Sequence, residues 1–337
     1  MGVNNMAKIL ITEPTMYIDQ IIKRLESYGE ISIAGTQKEE IIEKLVSDID
    51  LLIVAFAKIS ERVMEKAEKL RGIIRCGTGV DNIDLEAATR RRIPVVCIPD
   101  YATNAVAEFT IALILSLIRR IPQSNTYMKK RGYADKQWTI RPRELLGIEL
   151  KGRILGIIGF GRIGKAVAEK AKGLGMQIMV YDPYVGPDVI RDFSTTYLFT
   201  DLETLVRNSD VISVHCPLTK DTYHLINEEM LKLMKRSAYI INTARGSIID
   251  EKALYRALKE GWIAGAALDV YEMEPPPPDN PIFELDNVIL TPHIAWYTEE
   301  SMTRLANSVA DEAIRILKGE MPVNIVNREV IDFIKKR

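Results

Sequence analysis

Cysteine is scarce in this chain of 337 residues, and Cys76, Cys97 and Cys216 stand in apolar segments without C-x-x-C spacing. This usage excludes a disulfide-rich secreted scaffold and is typical of reduced core residues. An excess of one charge is also lacking, because the formal net charge is -1. Such a balance gives no bulk attraction to nucleic acid or to an anionic membrane. We therefore expect a cytoplasmic protein that binds neither.

Long hydrophobic runs are missing as well. The longest apolar stretch, Phe109 to Ile118, falls well short of the roughly 20 residues that span a bilayer. Glu13 and Pro14 interrupt the early apolar run, so no signal peptide is expected. No metal-ligand spacing is present, and we expect no bound metal.

Strand-like and helix-like segments alternate from end to end. A first set of strands runs from KILIT to VVCIP, and a second set runs from RILGIIG to NVILTPH. These strands are rich in Ile and Val and barely alternate, as expected when both faces of a sheet are covered. The pattern predicts an α/β protein with parallel sheets in two Rossmann-like domains.

The C-terminal residues are too few to form a domain. After NVILTPH only about forty residues remain, mostly one predicted helix over Glu299–Lys318, and so small a piece cannot bury its own core. We predict a discontinuous domain of residues 1–103 and 297–337, with a second domain, 104–296, inserted into it. The segment 121–149 is too long for a simple connection and is interpreted as a dimerisation arm.

The sequence GFGRIG stands directly after the strand RILGII and before the helical pattern KAVAEKAKGLG. In this context it predicts a dinucleotide site. Gly159 permits the tight turn, Gly161 lets the backbone approach a pyrophosphate, and Gly164 allows close packing of helix and strand. The alternative is a glycine-rich turn without a ligand. The predicted cofactor contacts in this turn are Gly159, Phe160, Gly161, Arg162, Ile163 and Gly164.

Asp182 ends the next strand, in VYDP. Its carboxylate could accept hydrogen bonds from a ribose diol and would repel a 2′-phosphate, so NAD is expected rather than NADP. Arg162 could clamp a phosphate; alternatively it is a solvated helix residue.

Several other predicted strands end in residues that carry chemistry. In an open α/β sheet, ligands bind beyond the carboxyl ends of the strands. An arginine in that position can pair bidentately with a carboxylate ligand. An Arg245–Glu274 ion pair that only ties loops together is the alternative. The residues in question are Arg245, His215, Asp269, Glu274 and His293.

The three histidines differ in their expected roles. His293 is the candidate acid, since Pro292 fixes the strand exit and Glu274 would favour the imidazolium that donates a proton to a ketone. An inert histidine at His293 is the alternative. His215 is a candidate for cofactor contact, and His224 lies in a polar loop and is predicted to be solvated.

The first domain has a possible anion site of its own in RCGTGVDNID. Successive N–H groups of Thr78, Gly79 and Val80 could point at one anion, forming a backbone nest. An ordinary turn, with Asp81 capping the following helix, is the alternative. Arg75 could also bind an anion. Two anion sites predict a carboxylate substrate held near a nicotinamide.

Six motifs of one known family occur in order: GTGVDNIDLEAATRRRIPV, GFGRIG with Asp182, VHCPLT, NTARGSIID, AGAALDVYEMEP and TPHIAWYTEES. On these motifs the chain resembles the D-isomer-specific 2-hydroxyacid dehydrogenases over nearly its whole length. The resemblance implies an NAD-dependent oxidoreductase, usually a homodimer, that transfers hydride between nicotinamide and a 2-hydroxy acid/2-keto acid pair. It also implies a nucleotide domain inserted into a smaller catalytic domain.

The same resemblance assigns individual roles. The implied catalytic set is Arg245, Glu274 and His293, and Asp269 would hold the nicotinamide carboxamide. The residues that would line the ribose and the nicotinamide ring are Pro217, Thr222, Thr243 and Ala244.

The sub-family signals are mixed. GTGVDNIDLEAATR is similar to phosphoglycerate dehydrogenases, but Ala55 stands where those enzymes tend to carry a phosphate-binding arginine. Trp296, in HIAWY, is similar to the C-terminal-binding corepressors and some ketoacid reductases, in which a bulky ring narrows the substrate pocket. An NADH-responsive binding protein of the corepressor type is therefore the alternative function. The expected substrate-binding residues are Arg75, Thr78, Gly79, Val80, Arg245 and Trp296. The expected substrate pairs include 3-phosphoglycerate, glycerate/hydroxypyruvate and glycolate/glyoxylate.

Overall fold

The computed structural model describes residues 6–14, 17–131 and 143–334. The chain divides into two compact units. Unit 1 comprises Met1–Ala102 and Tyr297–Arg337, and unit 2 comprises Thr103–Trp296.

Strands and helices alternate along most of the chain. In chain order, the strands are β1 (Ala7–Ile11), β2 (Gly29–Ile33), β3 (Leu51–Val54), β4 (Gly72–Arg75), β5 (Val95–Val96), β6 (Ile154–Ile158), β7 (Gln177–Tyr181), β8 (Leu198–Phe199), β9 (Val211–Val214), β10 (Tyr239–Asn242), β11 (Gly265–Leu268) and β12 (Val288–Leu290). The α-helices are α1 (Ile18–Leu25), α2 (Glu39–Leu45), α3 (Glu61–Lys66), α4 (Leu85–Arg90), α5 (Thr103–Ile118), α6 (Ile121–Arg131), α7 (Arg162–Gly173), α8 (Pro187–Phe193), α9 (Leu202–Asn208), α10 (Glu228–Leu233), α11 (Glu251–Lys259), α12 (Glu299–Lys318) and α13 (Ile331–Ile334).

Among its described residues, unit 1 holds a five-stranded parallel sheet in the order β2-β1-β3-β4-β5. All four residues of β3, LLIV, are buried, because helices cover both faces of the sheet. One hydrophobic cluster of this unit includes Leu10, Leu52, Met64 and Ile73. Strand β3 therefore has the uninterrupted apolar sequence expected of a strand covered on both faces, whereas β2 (GEISI), at the edge of the sheet, is partly exposed.

The C-terminal residues complete unit 1. Helix α12 has the predicted bounds, Glu299–Lys318, and packs on α1, where Arg24 and Asp311 form an ion pair at 2.6 Å. Beyond the helix, Val326 N donates to Val95 O at 2.8 Å. The chain thus returns to the edge of the sheet that its first hundred residues form.

Within the described residues, unit 2 holds a seven-stranded parallel sheet in the order β12-β11-β10-β9-β6-β7-β8. The chain runs outward from β6 through β7 to β8, and then returns to β9 on the other side of β6. The strand order therefore reverses beside β6, and this switch point is where open α/β sheets bind ligands. Both parallel sheets confirm the predicted α/β class.

Helix α5 covers the apolar stretch 109–118, and α6 follows it directly. Residues 132–142 of the predicted arm, 121–149, lie outside the described residues. No helix in the described ranges is both long and apolar enough to cross a membrane.

Candidate active site

The turn after β6 has the backbone geometry that a dinucleotide requires. Gly159 adopts φ +94°, and a Cβ placed there would lie 2.5 Å from Cys216 N. A Cβ on Gly164 would overlap Gly159 O, whereas a Cβ on Gly161, the N-cap of α7, would meet nothing within 4 Å. The turn is therefore tight at two glycines and open at the third. This opening lies at the N-terminus of α7, where N–H groups and the helix dipole favour a phosphate.

Asp182, at the end of β7, is oriented by backbone donors. Its Oδ2 accepts from Phe160 N at 2.8 Å, and its Oδ1 accepts from Tyr184 N at 2.9 Å. A carboxylate oxygen can accept more than one hydrogen bond, so both oxygens could also bind ribose hydroxyls. The Phe160 ring packs edge-on against Phe193 and Phe199 in the core. Of Phe160, the backbone and not the ring is therefore placed to meet a cofactor. Arg162 is exposed at the start of α7.

Glu274 and His293 form a close pair between two neighbouring loops. His293 Nδ1 lies 2.7 Å from Glu274 Oε2, and Glu274 Oε1 accepts from Tyr271 N at 3.1 Å. The backbone of His293 has φ +55°, which is uncommon for a residue with a side chain. Trp296 Nε1 donates to His293 O at 2.8 Å and helps to hold this conformation. Because Nδ1 faces Glu274, the other ring nitrogen, Nε2, is the candidate for proton exchange with a ligand.

The electrostatics of this pair favour an ionised Glu274. Burial alone would raise the pKa of this carboxyl group. However, the hydrogen bond and charge of His293, the N–H of Tyr271 and the charge of Arg245 together hold the pKa below its ordinary value. At neutral pH, Glu274 is therefore a carboxylate that can stabilise a protonated His293.

Arg245 stands at the end of β10, directly before a short 3-10 turn over Gly246–Ile248. Asn242 Nδ2 donates to Arg245 O at 2.9 Å, and Arg245 Nη1 donates to Ala244 O at 2.7 Å. A Cβ on Gly246 would overlap the backbone of Tyr271. This close approach brings the loop of Arg245 against the loop that carries Glu274, as the strand ends predicted.

Asp269 is fully buried and organises the loop of His293. Its Oδ1 accepts from Thr291 Oγ1 at 2.6 Å and from Ile294 N at 2.9 Å, and its Oδ2 accepts from Ala295 N at 2.8 Å. The sequence predicted that Asp269 follows the end of a strand, but it did not indicate these three hydrogen bonds. Its implied contact with the nicotinamide carboxamide stays a prediction.

His215 follows β9 and lies beside the turn of Gly159. Its Nε2 is 2.8 Å from Ser213 Oγ, and burial lowers the pKa of His215 to about 3. The ring is therefore neutral at ordinary pH.

The other predicted cofactor contacts also follow β9 and β10. Thr222 Oγ1 donates to Pro217 O at 2.6 Å and so closes the loop after His215. Thr243 Oγ1 lies 3.0 Å from Thr110 Oγ1 in α5. Ala244 N donates to Asn242 Oδ1 at 3.0 Å.

His224 is not the solvated loop residue that we predicted. It is half-buried, stacks on Tyr223, and has Nε2 2.6 Å from Glu272 Oε1. The backbone N–H of His224 donates to Ser247 O at 2.8 Å, and this bond holds the loop of His224 against the turn that follows Arg245. The sequence could not reveal this pairing, because Glu272 is distant in the chain. His224 and Glu272 thus form a second His–Glu pair on the loop that carries Glu274.

The predicted anion site of unit 1 follows β4. Arg75 Nη1 donates to Cys76 O at 2.8 Å, and Thr78 Oγ1 donates to Ile98 O at 3.2 Å. Gly79 and Val80 are half-buried. Helix α4 is capped by Asp84, which accepts from Ala87 N at 2.9 Å. The alternative in which Asp81 caps this helix is therefore wrong.

A dinucleotide turn at a topological switch point, with Arg, Glu and His at neighbouring strand ends, is the layout of a nucleotide-dependent oxidoreductase. The sequence model of the family described as "D-isomer specific 2-hydroxyacid dehydrogenase, NAD binding domain" matches residues 111–295. This match covers more than half of the chain, and it shows that the chain belongs to the D-isomer-specific 2-hydroxyacid dehydrogenases.

Two curated relatives illustrate the range of the family. The chain is 47% identical over 324 residues to the D-3-phosphoglycerate dehydrogenase of Methanocaldococcus jannaschii, covering 96% of this chain and 60% of that protein. It is 43% identical over 317 residues to the glyoxylate reductase of Korarchaeum cryptofilum, covering 92% and 93% of the two chains. The chain thus spans less than two thirds of the first relative and nearly all of the second.

Solved structures agree with this assignment. The D-lactate dehydrogenase of Aquifex aeolicus, complexed with NAD and lactic acid, has a TM-score of 0.84 and 34% identity, covering 93% of this chain and 96% of that one. The NADPH-dependent glyoxylate/hydroxypyruvate reductase of Sinorhizobium meliloti, with NADP and malonate, has a TM-score of 0.86 and 26% identity, covering 96% and 97%. The predictions of family, of an enzyme and of NAD as cofactor are confirmed, and the corepressor alternative is not favoured.

Proposed function

We propose that this chain catalyses the NADH-dependent reduction of a 2-keto acid to its D-2-hydroxy acid, and the reverse oxidation. The main support is the contact between His293 and Glu274, next to Arg245 and at the same sheet edge as the glycine turn of unit 2. An ionised carboxylate behind an imidazole is what a proton donor to a carbonyl oxygen needs.

In the proposed mechanism, each residue has one task. Arg245 binds the substrate carboxylate through its guanidinium group and orients the ketone. His293 gives the proton on Nε2 to the oxygen that becomes the alkoxide, and Glu274 stabilises charged His293 before the transfer. NADH, when bound, supplies the hydride that arrives at C2.

The cofactor and substrate sets are proposed on the same basis. Unit 2 is the proposed NAD-binding domain and carries the three proposed catalytic side chains, and unit 1 is the proposed substrate domain. The proposed cofactor contacts are Gly159, Phe160, Gly161, Arg162, Ile163, Gly164, Asp182, His215, Pro217, Thr222, Thr243, Ala244 and Asp269. The proposed substrate contacts are Arg75, Thr78, Gly79, Val80, Arg245 and Trp296.

The substrate candidates come from the chemistry that the relatives' names describe. They are 3-phosphohydroxypyruvate, hydroxypyruvate and glyoxylate, each paired with its hydroxy acid. All three carry the carboxylate and adjacent carbonyl that Arg245 and His293 would engage.

The test measures NADH oxidation with these keto acids for the wild type and three variants. His293→Asn should lower kcat by about a hundred- to ten-thousandfold, because the proton donor is lost. Glu274→Gln should move the alkaline limb of the kcat/KM profile to lower pH, since a neutral amide no longer favours the imidazolium.

The matched control is His224→Asn, which breaks the other His–Glu pair of the same loop. We expect this variant to lower kcat by less than about tenfold, because it removes no proton donor. Near-normal turnover by a folded His293→Asn protein would refute the assignment of the acid.

We also propose a cytosolic homodimer. Ile121 and Leu146, in the described parts of the predicted arm, are exposed. Such apolar surface is typical of a subunit interface. Sedimentation velocity should give a dimer, and Leu146→Glu should weaken it; a monomeric wild type would contradict the proposal.

A further inference from the structure

Glu272 is a carboxylate near Glu274 that the proposed mechanism does not use. It lies on the loop that follows β11. Its Oε1 is 2.6 Å from His224 Nε2 and accepts from Glu251 N at 3.1 Å. The backbone N–H of Glu272 donates in turn to Glu251 Oε2 at 3.1 Å. One carboxylate oxygen therefore joins the loop of His224, the N-terminus of α11 and the loop of Glu274.

Backbone hydrogen bonds extend this connection to the turn after Arg245. The N–H of His224 donates to Ser247 O at 2.8 Å, and the N–H of Ile226 donates to Ile248 O at 3.1 Å. The 3-10 turn over residues 246–248 begins directly after Arg245. The loop of His224 is therefore bonded to the segment that carries the proposed carboxylate-binding arginine.

The side chain of His224 supports the backbone conformation from which these bonds are made. His224 has φ +49°, in the left-handed region that few residues with a side chain adopt. Its Nε2 contacts Glu272, its ring stacks on Tyr223, and its Nδ1 lies 4.0 Å from Asp250 Oδ2. An ionised carboxylate only accepts hydrogen bonds, so Nε2 is the donor to Glu272. Loss of this bond should loosen the loop, and with it the turn after Arg245.

The same turn also packs directly on Glu272. A Cβ on Gly246 would lie 2.4 Å from Glu272 N, so the two backbones are in close contact. The residue that follows Arg245 is thus held between the loop of His224 and the backbone of Glu272. The position of Arg245 depends on both.

The carboxylate of Glu274 is held separately. It accepts from Tyr271 N at 3.1 Å and lies 2.7 Å from His293 Nδ1. Neither contact involves His224. A change at His224 should therefore affect Arg245 more than the proposed proton donor.

We propose that His224 and Glu272 are positioning residues that hold Arg245 in place for the carboxylate of the substrate. They act through Arg245 and take no part in proton transfer. The two His–Glu pairs of this loop then have different tasks, since one holds the proton donor and the other holds the cation. This inference rests on the proposed function, in which Arg245 binds the substrate carboxylate.

The test measures kcat and KM for whichever of the three candidate keto acids is reduced fastest, at saturating NADH. His224→Asn removes the bond to Glu272, and asparagine tolerates a positive φ, so the backbone is not forced to change. KM should rise by about tenfold and kcat should fall by less than about threefold. Arg245 binds the carboxylate in the ground state and the transition state alike, and loss of such binding raises KM.

Two variants of Glu272 separate positioning from a general loss of structure. Oε1 is the atom that His224 Nε2 and Glu251 N both contact. The amide oxygen of Glu272→Gln can accept both bonds, and this variant should keep KM within about twofold of the wild type. Glu272→Ala has no acceptor and should repeat the rise in KM of about tenfold.

The matched control is Tyr223→Phe, on the loop of His224. It keeps the ring that stacks on His224 and should have the wild-type KM.

Oxamate, an unreactive analogue of a 2-keto acid, gives a measurement that does not depend on turnover. Its dissociation constant, measured from the fluorescence of bound NADH, should rise by about tenfold in His224→Asn and Glu272→Ala. Glu272→Gln and Tyr223→Phe should bind oxamate as the wild type does. The affinity for NADH alone should stay within about threefold in all four variants.

Three results would overturn the inference. These are wild-type KM and oxamate affinity in a folded His224→Asn protein, oxamate binding by Glu272→Gln as weak as that by Glu272→Ala, or a fall in kcat that exceeds the rise in KM. If Glu272→Ala does not fold, His224→Asn and Glu272→Gln still decide the question.

Failure of the proposed function has a different signature. Arg245→Lys would then bind oxamate as tightly as the wild type, which would show that Arg245 does not hold the carboxylate, and the inference would fail with it. Weakened binding by Arg245→Lys together with unchanged binding by His224→Asn would refute the inference alone.

Discussion

At the scale of single residues, the two histidines that follow strands β9 and β12 are set apart by their surroundings. Burial holds His215 neutral by lowering its pKa to about 3, and Ser213 Oγ is its hydrogen-bond partner at 2.8 Å. His293 instead faces the carboxylate of Glu274. A neutral imidazole cannot serve as the proton donor at ordinary pH. The surroundings alone therefore favour His293 as the acid and leave His215 as a neutral contact.

The lowered pKa of His215 has a measurable effect on stability. The unfolded chain binds a proton near pH 6.5 and the folded chain only near pH 3, so folding stability falls as the pH decreases through this window. Between pH 7 and pH 5, this one histidine should lower the free energy of unfolding by up to about 2 kcal/mol. Urea unfolding at both pH values should show this loss in the wild type.

The comparison that isolates the group is His215→Asn, which has no imidazole to protonate. Its loss of stability between pH 7 and pH 5 should be smaller than that of the wild type by up to about 2 kcal/mol. An equal loss in the two proteins would show that His215 titrates normally in the folded state.

At the scale of elements, helix α7 contains two glycines with opposite surroundings. A Cβ on Gly164 would overlap Gly159 O in the turn, whereas a Cβ on Gly173, at the other end of the helix, would meet nothing within 4 Å. Gly164→Ala should therefore push α7 away from β6, weaken NADH binding by more than about tenfold and destabilise unit 2.

The matched control is Gly173→Ala. It should bind NADH as the wild type does. Its free energy of unfolding should rise by up to about 1 kcal/mol, since alanine is a better helix former than glycine. Fluorescence titration with NADH and urea unfolding check both variants. Equal NADH affinity in the two would contradict the role of close packing at Gly164.

The glycine turn could be predicted from sequence because its strand, turn and helix are contiguous in the chain. The spacing of the glycines is therefore enough to predict the geometry of the turn. The strand ends of Arg245, Glu274 and His293 could be predicted too, since parallel strands all end at one edge. The pairing of His224 with Glu272 could not, because neither residue belongs to a periodic pattern and they meet only through tertiary packing.

The hydrogen bonds of Glu13 could not be predicted from the sequence either. In the sequence this residue only interrupts an apolar run. Its three bonds to backbone N–H groups depend on a loop that lies 42 to 44 residues further along the chain. Local propensity does not contain such a contact, because the backbone N–H groups of Ala55–Ala57 are present whatever side chains the loop carries.

At the scale of the whole molecule, three hydrophobic clusters of described residues each lie within a single unit. Two clusters draw only on residues of Thr103–Trp296, and a third draws on residues 10–95. The short length of the C-terminal piece predicted its return to the first domain. The structure adds the contacts that tie it there, among them Asn327, whose side chain bonds to Val95 N and Ile93 O at 2.9 Å.

This division predicts that residues 103–296 fold without residues 297–337, whereas residues 1–102 require them. A fragment of residues 103–296 contains its whole sheet, both of its clusters and the glycine turn. It should therefore fold cooperatively and bind NADH.

A fragment of residues 1–102 lacks α12, which packs on α1, and leaves the side of β5 that Asn327 contacts uncovered. It should be largely unfolded, and adding a peptide of residues 297–337 should restore cooperative unfolding. Circular dichroism with thermal unfolding and NADH fluorescence measure these outcomes. A fragment of residues 1–102 that folds without the peptide would mean that the C-terminal segment is an accessory to unit 1 and not part of its core.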